Sequence, residues 1–117
     1  MDIKKELNDQ LECFKPFPRL PQSRYFEFAW GRIYVRNGAC YYYLGKAYKM
    51  LVLANISVDE EFQKQGICSQ VIDQLISYCP YEYFMVEQVH NPFLRTFLLK
   101  KGFFPFLNDE NNLLIKP

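Results

Sequence analysis

At 117 residues the chain has the size of one domain, 1–117, and a composition that is half hydrophobic and 18% aromatic can fill a core and excludes extended disorder. Fourteen basic against 13 acidic residues leave a net charge of +1, too little to steer the chain toward nucleic acid or an anionic membrane. The opening MDIKKELNDQ has no apolar leader core and no apolar run reaches the length of a bilayer span, so a cytoplasmic protein without a membrane or nucleic-acid partner is expected.

Residues 3–14 place Ile3, Leu7, Leu11 and Phe14 at helical spacing. The following KPFPRLPQS holds three prolines and reads as loop. From Tyr25 the chain turns aromatic and β-branched, and we expect three antiparallel strands at roughly 27–36, 39–44 and 48–57. Asn37-Gly38 tolerates positive φ at both centres of a tight turn, so a hairpin is expected there, with a second break at Gly45-Lys46. In GICSQVIDQLISYC, Ile67, Val71, Ile72, Leu75 and Ile76 share one helical face, and Pro80 ends the helix. Residues 83–89 read as a strand. NPFLRTFLLKKG reads as a helix with Asn91 as its cap, Pro92 at its first position and Gly102 at its end. FFPF and residues 112–116 close the chain as two strands joined by a polar loop. This order predicts an α+β fold, a mixed α/β sandwich.

Cys13, Cys40, Cys68 and Cys79 contain no C-x-x-C pair, and His90 is the one histidine, so no metal site is expected and the thiols read as reduced. The informative stretch is VDEEFQKQGICSQVIDQL, residues 58–75. A strand ends, a short polar loop follows, and a helix opens at Gly66. Such a helix start offers unpaired N–H groups and a positive dipole end to a phosphate. Gly66 lets the backbone approach closely, Cys68 and Ser69 keep the first turn small, and Lys64 adds a positive charge. An ordinary strand-to-helix turn has the same appearance.

The stretch resembles motif A of the GNAT N-acetyltransferase superfamily, Q/R-x-x-G-x-G/A after a strand, with Gln63, Gly66 and Cys68 in the three defining places. Cys68 stands where glycine or alanine is usual. NPFLRTFLLKKGFF resembles motif B through Asn91, Gly102 and Phe103. The resemblance implies a GNAT-like, mostly antiparallel central sheet, splayed between the family's fourth and fifth strands. It also implies that acetyl-CoA lies in that splay: pantetheine along Ile56 and Val58, the pyrophosphate on amides of Gln63, Lys64, Gln65, Gly66, Ile67, Cys68 and Ser69, and Asn91 against the pantetheine arm. The family's proton-donating tyrosine, four residues before the motif B glycine, is here Leu98, which lines the cofactor side without a proton to give.

For the chemistry, Glu87 is the first expected base, with His90 and Tyr83 as further catalytic candidates and Glu60 and Tyr81 behind them. Tyr41, Tyr42 and Tyr43 alternate faces, either as packing or as an aromatic wall for the acceptor. The function implied is acetyl-CoA-dependent transfer to a primary amine, of a protein or a small molecule. The short N-terminal region favours a protein amine. The alternative is a GNAT-fold module that binds CoA or a protein partner without turnover. The proline-ended C-terminal strand points to a monomer or weak homodimer.

Overall fold

The computed structural model describes residues 2–16 and 20–117. Helix α1, Ile3–Leu11, is capped by the Asp2 side chain, which accepts from the Lys5 amide, and one helical turn, Glu12–Phe14, extends it. Strands β1 (Gln22–Phe28), β2 (Gly31–Tyr43) and β3 (Lys46–Val58) follow, then α2 (Ile67–Tyr78), β4 (Tyr83–Val86), α3 (Pro92–Lys100), β5 (Phe104–Phe106) and β6 (Asp109–Ile115). The element order is the expected one. The strands form one sheet in the order β1-β2-β3-β4-β6-β5, in which only β3 and β4 run parallel.

Helices α1 and α2 pack together, and Leu98 of α3 joins the same buried cluster, which rests on Leu51, Leu53, Phe84, Val86 and Leu113 of the sheet. Full burial of each such side chain stabilises by roughly 1.5–3 kcal/mol. The other sheet face carries a smaller cluster, Met50, Val52, Met85 and Leu114, covered by rings of Tyr41, Tyr43, Tyr48, Tyr83, Phe104 and Phe106 and by no helix. The result is thin, 43 × 36 × 18 Å.

The strand boundaries differ from expectation in β2. Asn37-Gly38 is no hairpin: β2 runs unbroken through it, and the register against β3 slips between Asn37 and Ala39. A glycine inside a strand marks a bulge as readily as a turn. The turns fall instead at Ala29-Trp30, which carries no turn signature, and at Leu44-Gly45, where both φ are positive (51° and 79°) as a two-residue hairpin requires. The predicted strand 27–36 therefore straddles the end of β1 and the first half of β2. Strand β4 is shorter than the expected 83–89, because Gln88 takes a φ of +54° and its amide turns to the Asn112 side chain. The proline-rich loop includes residues 17–19, which lie outside the described residues.

Each bulge reverses the alternation of faces. In β2, Ile33 and Val35 face the helices before the bulge, whereas Ala39, Tyr41 and Tyr43 face the helix-free side after it. In β3 a second slip, opposite Tyr34 and Val35, does the same: Leu51 and Leu53 face the helices before it, and Ile56 and Val58 after it. In β3 the one-residue phase change keeps an apolar face on the main core along the strand, whereas in β2 it moves the apolar face to the helix-free side.

Candidate functional site

Strands β3 and β4 pair over Met50–Leu53 and Tyr83–Val86, and one further bond, Glu87 N–H to Leu53 O at 3.0 Å, ends the ladder. Beyond it the strands part. The chain after Glu87 turns to β6, with the Val89 amide donating to Asn111 O, while β3 continues to Val58 paired to β2 alone. At the end of β3, Asp59 N–H donates to Trp30 O, and Ser57 O lies toward Gly31 of β2. By alternation the amide groups of Ile56 and Val58 point the other way, into the splay. Their side chains pack on the main core, so backbone and side chain serve different tasks there.

The loop at the top of the splay is built from polar ties. Gln63 Nε2 donates to Val58 O at 3.1 Å, and Gln65 Nε2 to Glu61 O at 3.2 Å. Lys64 and Gly66 both have left-handed φ, 63° and 75°, and Gly66 is the N-cap of α2. No described side chain caps this helix and no acidic residue sits in its first turn, so its leading N–H groups have no partner among the described residues. A Cβ built on Gly66 would meet nothing within 4 Å, which leaves the approach to these groups open. Ile67 is buried, and Cys68 packs its thiol against the main core, away from the loop's outer surface. Ser69 is half-buried beside it. An open depression of about 460 Å³, lined by Asp59, Glu60 and Glu61, precedes the loop.

Burial pushes the Cys68 thiol from 9.0 up to about 11. The folded state holds this proton more tightly than the unfolded chain. The resulting stability is complete below pH 9 and is lost as pH rises toward about 11. At neutral pH a thiol reagent should modify the exposed Cys40 first and leave Cys68 unmodified until the protein unfolds. Peptide mapping after brief alkylation checks this, and equal labelling of the two sites would contradict the packing.

At the apex of the splay stands Glu87, its side chain 16% exposed, on the helix-free face. Arg36 Nη1 donates to Glu87 Oε1 at 2.6 Å and Tyr41 Oη donates to the same oxygen at 2.9 Å. Burial is the largest single influence on Arg36 and opposes its charge, but the Glu87 carboxylate together with the Tyr41 and Tyr34 hydroxyls outweighs it and holds the guanidinium above its ordinary value. Burial, and then the bond to Glu87, push the Tyr41 hydroxyl above its ordinary value. The Arg36 guanidinium lies over the Tyr34 ring, and the Tyr41 ring meets Phe106 edge-on. Neither Arg36 nor Tyr41 was marked as a partner of Glu87 by sequence. The readable signal was Gly38 inside a strand pattern, because the bulge is what turns two residues five apart to the same face.

The remaining candidates separate. Asn91 caps α3, its Oδ1 accepting from the amides of Phe93 and Leu94 at 2.8 and 3.3 Å. His90 is exposed beside it and makes no hydrogen bond with a described residue. Glu60 is exposed in the turn Glu60–Phe62. Tyr83 is corrected: it pairs with Met50 at the closed end of β4 and packs among Tyr43 and Tyr48, four residues (about 13 Å) from Glu87 at the apex. Leu98 is corrected as well. It is 0% exposed inside the main core and presents no surface to a cofactor. Tyr81 lies near Gly38, where a Cβ would meet its hydroxyl at 3.2 Å, away from Glu87. Among the described residues no three His, Cys, Asp or Glu side chains gather as a metal site, and no helix is long and apolar enough to cross a membrane.

No family model and no curated protein matches the chain by sequence. Solved structures do match. A tyrosine-to-phenylalanine mutant of the AtaT toxin, bound to the C-terminus of the antitoxin AtaR and acetyl-CoA, superposes with a TM-score of 0.62 at 21% identity, over 74% of this chain and 58% of that one. A KacTA–DNA complex gives 0.62 at 15% identity, over 92% and 79%. A tyrosine-to-phenylalanine mutant of KacT gives 0.59 at 14%, over 96% and 79%. This chain has the GNAT fold. In the GNAT fold's terms β3 and β4 are the splayed pair, and Gly66 opens the helix that follows the first of them. The chain spans 58% of the AtaT chain's length.

Proposed function

We propose that the chain is an acetyl-CoA-dependent N-acetyltransferase acting on a primary amine, of a protein or a small molecule. The observation that carries this is the continuity of two backbone surfaces: the edge of β3 beyond its ladder with β4, at Ile56 and the Val58 amide (Val58 O is taken by Gln63), and the start of α2 at Gly66, which no described side chain caps. An extended amide-bearing arm pairs with the first and a diphosphate with the second. The binding residues are then Ile56, Val58, Gln63, Lys64, Gln65, Gly66, Ile67, Cys68 and Ser69, with the free amide nitrogen of Asn91 facing the arm. Lys64 and the α2 dipole attract the polyanion, against the carboxylates of Asp59, Glu60 and Glu61. Acetyl-CoA in the AtaT structure supports the same ligand here.

Glu87 is the proposed base, taking a proton from the attacking amine, with His90 as the second candidate. Calorimetric titration with acetyl-CoA and with CoA tests the binding: micromolar affinity is expected, and no heat at millimolar ligand would remove the reading. Glu87→Gln should lower turnover about 100-fold and change acetyl-CoA affinity by less than about 3-fold. Unchanged turnover would take Glu87 out of the mechanism.

A second reading is favoured by Leu98, whose side chain has no proton to give where the family pattern has a tyrosine. It is a GNAT-fold module that binds CoA, or a protein partner as AtaT binds AtaR, without turnover. Binding of CoA with no acetylation of any amine in a broad screen would select it. We place the protein in the cytoplasm, as a monomer or weak homodimer.

A further inference from the structure

The geometry points to Tyr41 as the proton donor to the departing thiolate, the role left vacant at Leu98. This inference rests on the acetyl-transfer reading. Pantetheine laid along the open edge of β3 from Val58 runs toward Leu53, so the thioester reaches the Leu53–Glu87 rung where the sheet closes. The hydroxyl fixed at that rung is Tyr41's, 2.9 Å from Glu87 Oε1. Tyr43, Tyr48 and Tyr83 gather at the closed end of the strand pair, and Leu98 lies on the helix side.

Tyr41 reaches this place through the bulge at Gly38. In a regular strand Arg36 and Tyr41, five apart, would face opposite sides of β2; the bulge absorbs one residue, and both meet one carboxylate oxygen. Arg36 pins Glu87, the Phe106 ring packs against Tyr41, and its hydroxyl, like any phenol, carries its proton at neutral pH. The groups facing the hydroxyl are Arg36 from β2 and Glu87 from the end of β4.

The proton balance then closes within the site. The amine nitrogen forms a bond to the acetyl carbon, and the C–S bond breaks with its electron pair leaving on sulfur. Tyr41 Oη gives its proton to that sulfur. Glu87 takes the proton released by the new amide nitrogen and returns it to Tyr41 across the existing hydrogen bond. No further reactant is needed, and both side chains end as they began.

The test is a pH titration of bound CoA, followed by the ultraviolet absorbance of its thiolate, with calorimetry on the same samples. A hydroxyl donating to the thiolate stabilises it, so the bound thiol should titrate about one pH unit below free CoA. Tyr41→Phe, which keeps the ring on Phe106, should lose that shift while CoA affinity changes by less than about 3-fold. Identical titration in wild type and Tyr41→Phe, with CoA bound to both, would overturn the assignment. If the variant does not fold, the wild type decides: a thiol titrating like free CoA overturns it. Absence of CoA binding to the wild type is a separate result, which removes the acetyl-CoA reading and this inference with it.

Discussion

Gly66→Glu should weaken acetyl-CoA binding by at least about 100-fold while the protein stays folded. The structure separates the two effects. A side chain at Gly66 meets nothing within 4 Å, so no clash disturbs the loop. The left-handed φ of 75° costs an L-residue only about 1–2 kcal/mol. A carboxylate set beside a diphosphate at about 4 Å costs on the order of 4 kcal/mol in a surface-like dielectric, more than the 2.7 kcal/mol that a 100-fold loss represents. Gly66→Ala is the control, since it carries the same backbone strain without the charge. It should lose about 1 kcal/mol of stability and bind nearly as before. Equal calorimetric affinity for Gly66→Glu and wild type would mean that the loop does not hold phosphate.

Gly31→Ala should be the most destabilising single-methyl change in the chain. A Cβ there would lie 2.0 Å from the carbonyl oxygen of Ser57 and 3.0 Å from the Cα of Val58. Both are backbone atoms of β3, so no rotamer change relieves the overlap. The first rungs of β2 and β3 must separate, and the Asp59–Trp30 bond beside them is lost with them. Overpacking that moves backbone costs about 3 kcal/mol or more, against a total stability of order 5–15 kcal/mol. Thermal unfolding should move down by roughly 10–20 °C. A fall of less than about 3 °C would mean that the two strands are not closely paired at Gly31. Because Val58 is the end of the proposed pantetheine edge, whatever Gly31→Ala protein remains folded should also bind acetyl-CoA more weakly.

Much of this architecture was legible because its signals are local. The helical spacing of Ile67, Val71, Ile72 and Leu75, the Asn91-Pro92 start and the Gly66 loop each depend on a few neighbouring residues, and these elements stand where expected. The strands were less legible. In the aromatic run from Tyr25 to Val58, apolar side chains occur on both faces, so alternation does not show where one strand ends. The turn at Ala29-Trp30 has no marker, and the Asn37-Gly38 marker belongs to a bulge. The contacts that build the apex of the splay were not legible at all. Glu87 meets Arg36 and Tyr41 from 51 and 46 residues away, and only pairing of β2, β3 and β4 in one register brings them together. Leu98 was noticed as an exception to the family pattern, but that it is fully buried depends on how α3 seats on the sheet.

The phase change in β2 also bears on how the chain tolerates insertion and deletion. Losing one residue from a half-buried strand ordinarily exchanges its inward and outward side chains and ruins the face. Here the extra residue is Gly38 itself, and Ala39 already pairs with Met50 beyond it. A deletion at Gly38 would straighten the strand and leave Arg36 and Tyr41 four apart, still on one face. A residue inserted into the ladder between them would instead turn Tyr41 away and bring Cys40 into its place. The tolerance is directional: across generations β2 has more freedom to shed its bulge than to enlarge it.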